Sequence, residues 1–101
     1  MSNKDSQKQI YRDCRRKTDL TRLQWGHLFT LGGNGGHKEV GKKELQPGEA
    51  SSRGVNMPEA LAAQLLLKLD DVGFDITAID FDNAGLIIKF PKKRKLTRLH
   101  I

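Results

Sequence analysis

The chain has little of what covalent or redox chemistry requires. It contains a single cysteine, Cys14. One thiol closes no internal disulfide, so the fold holds without a covalent staple, and a reducing, cytoplasmic compartment is the expected setting. Aromatic side chains are scarce, with one Trp, one Tyr and four Phe in 101 residues. A platform of stacked rings for single-stranded RNA is therefore not expected. No stretch approaches the ~20 apolar residues a membrane span needs, so no membrane partner is expected. The opening MSNKDSQKQ lacks the apolar core of a secretion signal. No nucleophile, base and orienting group stand together, so an enzyme is the least expected class. His27, His37 and His100 have no metal-ligand spacing to one another or to Cys14, and neither a metal nor another cofactor is expected. At 37% hydrophobic residues, the chain can build one modest core.

What it does have is positive charge. Eighteen Lys and Arg against 12 Asp and Glu leave a formal net charge of +6. Such an excess favours polyanionic partners. The charge is also uneven. Residues 59–82 carry Glu59, Asp70, Asp71, Asp75, Asp80 and Asp82 against Lys68 alone, whereas the tail holds Lys92, Lys93, Arg94, Lys95 and Arg98 with no acid. A chain basic at its first helix, turn and tail, and acidic between, points to nucleic acid more strongly than net charge does.

Spacing divides the chain into elements. Ile10, Tyr11 and Cys14 form one apolar stripe and predict a helix over 5–18. Thr21 with Gln24 three residues later makes a capping box and starts a short second helix, with Leu20, Trp25, Leu28 and Phe29 on one side. The cluster Gly32-Gly33-Asn34-Gly35-Gly36 breaks it. HKEVGKKEL is a third short helix with Val40 inward, and QPGEASSRG is a loop. MPEALAAQLLLKLDDVG is the strongest helix signal, with Pro58 in its first turn and Gly73 as its stop. After it, β-branched and aromatic residues flank Asp82-Asn83-Ala84-Gly85, the mark of a β-hairpin ended by Pro91. The expected fold is mostly α with a C-terminal β-hairpin. A helix-turn-helix domain of about four helices occupies 1–73, two antiparallel strands 74–91, and a basic tail 92–101.

Gly36, Gly41 and Lys42 come close to a phosphate-binding P-loop, G-x-x-x-x-G-K-[ST]. Position 43 is Lys, which cannot ligate magnesium, and the segment before the loop is helical where a buried strand is needed. A turn between helices is the better account of the glycines.

Two short helices joined by a glycine-containing turn in a basic chain suggest a helix-turn-helix. The stretch LTRLQWGHLFTL, residues 20–31, resembles the first helix of that motif in the Cro/C1 repressor-like (XRE) family. Leu20, Thr21, Gln24, Gly26, Leu28 and Phe29 match its sequence of leucine, cap, polar, small and large apolar residues, with Trp25 before the small one. Val40 and Glu44 stand where that family has an aliphatic residue and a glutamate. PEALAAQLLLKL resembles the closing helix of bacterial and phage regulators of this kind. The resemblance spans residues 8–72. Lys43 departs from it, since the family places a large apolar residue there; Gly41, the extra glycines of the turn and the long loop after residue 45 depart too.

The resemblance implies a sequence-specific regulator of double-stranded DNA, most simply a repressor, with a recognition helix over about 37–45 in the major groove. His37, Lys38 and Lys42 would reach base edges or phosphates. Thr21 and Arg22 would meet the phosphate backbone, and Asn34, Gly35 and Gly36 would bring backbone N–H groups to it. Lys92, Lys93, Arg94 and Lys95 would form a phosphate-binding arm. Regulators of this kind act as dimers, and the hairpin with residues 58–72 is the expected homodimer interface. The alternative is that the hairpin covers its own domain. A helix-turn-helix scaffold turned toward a protein partner such as a toxin, as inhibitor or adaptor, is the second function that the departures at Lys43 and the turn leave open.

Overall fold

The computed structural model describes residues 3–31 and 36–92. Helix α1 (Asn3–Thr18) buries Tyr11 and Cys14. It carries Arg15, Arg16 and Lys17 in its last turn, where cations complement the helix dipole. The helix stops at Asp19, whose φ of 61° lies in the left-handed region. Helix α2 (Arg22–Leu28) starts on the predicted capping box. Thr21 Oγ1 accepts the Gln24 N–H at 3.1 Å, and Gln24 Oε1 accepts the Thr21 N–H at 2.9 Å. Helix α3 spans Gly36–Glu44, with Gly36 in its first turn. Helix α4 (Met57–Asp71) opens on a second capping box, Asn56 with Glu59, which the sequence reading overlooked in favour of Pro58. Gly73 ends it with a φ of 99°, as expected.

The hairpin is present but shorter than the sequence predicted. Residues Ile76–Ala78 form a 3-10 turn where the alternation of apolar residues suggested strand. Asp75 explains the difference. Its Oδ1 accepts the Thr77 N–H at 3.2 Å and the Thr77 hydroxyl at 2.5 Å, a local turn that competes with a ladder. Ile76 and Ile79 then point to the core at a spacing of three. The strands that remain are β1 (Asp80–Phe81) and β2 (Ile87–Lys89). They pair antiparallel, Asp80 opposite Lys89 and Phe81 opposite Ile87, with an irregularity between. Asp82 builds the turn by accepting the N–H groups of Ala84 (2.8 Å) and Leu86 (2.9 Å), and Gly85 takes a φ of 87°.

One cluster of buried residues, Tyr11, Cys14, Trp25, Val40, Val55, Ala60 and Ala63, joins the four helices. The rings of Tyr11, Trp25 and Phe29 meet within it at centroid distances of 5.2 to 5.8 Å. A second cluster, Leu28, Ile76 and Ile79, fixes the 3-10 turn against α2 and α4, and Leu20, Phe29 and Leu66 border both clusters. His27 adds a polar tie, its Nε2 lying 3.1 Å from the Ile79 carbonyl and 3.4 Å from Asp80 Oδ1. Residues 76–81 therefore belong to the same body as the helices. The second strand joins that body through its pairing with β1 and through the Phe90 ring, 5.6 Å from Phe74, but Leu86, Ile87, Ile88 and Phe90 remain 47–66% exposed.

Among the described residues no helix is long and apolar enough to cross a membrane.

Candidate nucleic-acid interface

The site is built on the crossing of α2 and α3. A Cβ on Gly26 would lie 3.2 Å from the Gly36 carbonyl oxygen and 3.4 Å from Val40 Cγ2. The two helices meet closely here, so that any added Cβ would press on main chain. Gly36 is tighter still, since a Cβ there would fall 1.9 Å from the Leu31 carbonyl oxygen. Between the helices the chain leaves α2 through Thr30, a β-branched residue held at a φ of 59°. Leu31 is anchored by donating its N–H to the Gly26 carbonyl at 2.7 Å.

Glu44 holds this pair of helices to α1. Its side chain is 3% exposed. The carboxylate accepts from Arg15 Nε, from Arg15 Nη2 at 3.0 Å and from Arg22 Nε at 3.1 Å, so one residue of α3 bridges α1 and α2. Arg15 Nη1 also donates to the Leu20 carbonyl at 3.0 Å. A buried carboxylate is tolerated when its lone pairs are met by a forked cation, and here two cations meet them. Two guanidinium groups on one carboxylate leave a surplus positive charge at the surface, carried by Arg22, which is 53% exposed.

Arg22 lies across Gly41, with its Cδ, Cζ and Nη1 at 3.8 to 3.9 Å from where a Cβ would stand. That is ordinary contact distance, so α3 has room for alanine. Gly41→Ala is expected to raise stability by about 1 kcal/mol, the helix-propensity difference, in urea or thermal unfolding. A loss of stability would mean that Arg22 needs the bare backbone.

Lys43, where the resemblance leads one to expect a large apolar residue, is largely buried and donates to Glu59 Oε2 at 2.7 Å. It ties the end of α3 to the start of α4 and is not free for a ligand. Beneath it, the buried ammonium of Lys8 donates to the carbonyls of Lys43 (2.7 Å) and Arg53 (2.6 Å) and to Ser52 Oγ (3.2 Å). Burial, reinforced by the nearby charge of Lys43, lowers the Lys8 pKa below the ordinary lysine value. The sequence reading missed Lys8 and Arg15. Their signal was there: Lys8, Tyr11 and Arg15 share one face of α1 at spacings of three and four. Cys14 is buried among apolar residues, which pushes its thiol pKa up and makes it a packing residue.

The other expected contact residues separate into groups. His37 and Lys38 are exposed in the first turn of α3, with no ion pair among the described residues. Lys42 lies 3.8 Å from Glu39, which also stands 3.6 Å from Arg53. Thr21 is exposed, but its hydroxyl serves the cap. Gly36 is buried, and its small size is spent on the approach to Leu31. Lys92 is exposed. Asn34, Lys93, Arg94 and Lys95 lie outside the described residues. The structure thus brings Arg22, Lys38, Lys42 and His37 onto the surface of the α2–α3 pair and withdraws Lys43 from it.

In comparisons with known proteins, no family model, no curated protein and no solved structure matches this chain.

Proposed function

We propose that the protein is a cytoplasmic, sequence-specific regulator of double-stranded DNA, acting as a repressor, with α3 as its recognition helix. The observation that carries this is the bracing of α3. Its far end is held by Glu44, Lys43 and Lys8, while its first turn offers His37 and Lys38 unpaired among the described residues. A helix held rigidly at one end and cationic at the other suits the major groove, which is wide enough to admit one. Arg22, with its partner charge already shared, is free to meet a phosphate beside the groove. Lys42 exchanges a long pair with Glu39 for a shorter one with phosphate at little cost, because exposed pairs of that kind contribute about 0–1 kcal/mol.

Fluorescence anisotropy checks this. Duplex from upstream of the gene is expected to bind more tightly than random duplex, and affinity should fall steeply with salt. The Lys38→Ala/Lys42→Ala variant should bind at least about tenfold more weakly, with a salt slope reduced by about 1 to 2. Equal affinity for both duplexes would overturn the proposal.

The second function, a scaffold for a protein partner such as a toxin, has its own support. Met57, Leu61 and Leu65 are each more than half exposed and fall on one narrow stripe of α4, with exposed Val72 just past its end.

A further inference from the structure

Helix α4 presents an apolar stripe to solvent. Met57, Leu61 and Leu65 stand one turn apart along it, and Val72 continues the line just past the helix end. The far end of the stripe is acidic. From residue 69 to 88 the chain holds five Asp and no Lys or Arg, and Asp71, beside Val72, is exposed. The carbonyl end of α4 adds its own negative charge there. The basic tail departs from the same place. The Phe90 ring lies 5.6 Å from that of Phe74, two residues beyond Val72, and exposed Lys92 follows.

We infer that this stripe of α4 is the docking site of the chain's own residues 92–101, and that duplex DNA draws them off it.

The order of side chains selects that occupant. Along the tail, Lys92, Lys93, Arg94 and Lys95 come first, and Leu96 and Leu99 follow. Along the surface, leaving Phe74, the acids at 75 and 71 come first, and Leu65 and Leu61 follow. Bases therefore meet carboxylates while leucines meet leucines. The spans agree. Val72 to Leu61 covers roughly 16 Å of helix, and Lys92 to Leu99 reaches roughly 23 Å when extended. Lys68, exposed between Leu65 and Val72, repels the tail's bases and leaves that stretch to its leucines.

A segment joined directly to its site has an effective concentration on the order of millimolar, so a weak contact is enough. A weak contact between base and acid is also one that a polyanion reverses. The docking itself is independent of what α3 binds. Its release by DNA rests on the function proposed above. The tail then has two positions, on the acidic end of α4 in the free protein and on phosphate in the complex.

Methyl NMR on the full chain tests the docking. Leu96→Ser/Leu99→Ser is expected to shift the methyl resonances of Leu61, Leu65 and Val72 and to leave those of Leu86, Ile87 and Ile88 in place. No shift at the three α4 positions overturns the inference. Shifts confined to β2 overturn it too, by placing the tail on the hairpin. Shifts that grow with protein concentration give the stripe to a second copy, with the same result. Anisotropy with random duplex tests the release. Leu65→Ser changes no charge, so it should raise affinity at least about threefold only by freeing the tail's cations. In the Lys93→Gln/Arg94→Gln/Lys95→Gln background the same substitution should change nothing. Leu65 is exposed, and a melting transition as sharp as the parent's shows that the variant folds. Equal affinity of parent and Leu65→Ser overturns the release. A chain that bound no duplex at all would count against the reading of α3, and the methyl shifts would still decide the docking.

Discussion

Glu44→Ala is expected to cost about 3–5 kcal/mol, the loss seen when one partner of a buried ion pair is removed. Arg15 is itself 16% exposed and would be left as a buried charge without its carboxylate. Its remaining bond, to the Leu20 carbonyl, does not neutralise it. Arg22 would lose less, because it is half in water and can turn outward. Two controls separate the causes. Arg22→Ala should cost only about 1 kcal/mol or less. An Arg15→Met/Glu44→Leu double variant should recover most of the loss, because apolar side chains of similar volume replace a buried pair at little net cost. Urea unfolding of the four proteins decides it. A cost under about 1 kcal/mol for Glu44→Ala would mean that the apolar cluster alone holds α1, α2 and α3 together.

Gly36→Ala is expected to be nearly as damaging, at about 3 kcal/mol. The added methyl would sit 1.9 Å from a backbone oxygen of Leu31. That neighbour is main chain, so relief requires α3 to move away from α2, and the Gly26–Val40 contact would open with it. The same substitution five residues later, at Gly41, is expected to have the opposite sign. The chemistry is identical and the surroundings alone differ: a fixed carbonyl at one glycine, a movable arginine at the other. Thermal unfolding of the two variants side by side is the check. A stabilised Gly36→Ala protein would mean that the turn between α2 and α3 relaxes freely.

These two residues also mark how far the sequence could be followed. Helices were legible because their signals are local. Thr21 and Gln24 lie three residues apart, Gly73 sits at the end of a periodic segment, and Trp25 and Val40 fall on apolar stripes. The 3-10 turn at Ile76–Ala78 was not legible, because Asp75 decides it through a hydrogen bond that competes with a strand on nearly equal terms. Glu44 could be placed by resemblance, but its partners could not. Arg15 is 29 residues away in sequence, and no local pattern says which of many arginines a buried carboxylate will find. Lys43 is the clearest case. In the sequence it stood only as a departure from the family's large apolar residue, and Glu59 on a different helix makes it a tie within the fold. Of the candidate interface, the exposed first turn of α3 was visible in the sequence; the bracing that orients it was not.

The Lys8 clamp has a consequence for how this chain is made. Its three bonds reach across 35, 44 and 45 residues. During synthesis at about 5–20 residues per second, α1 is made seconds before the segment it must grip. The Lys8 ammonium therefore has no partners until residues 43 to 53 have emerged. Arg15 can meet Glu44 first, and the ammonium completes the clamp once the Arg53 carbonyl follows. The seating of the α2–α3 pair is thus completed late, by a helix made well before it.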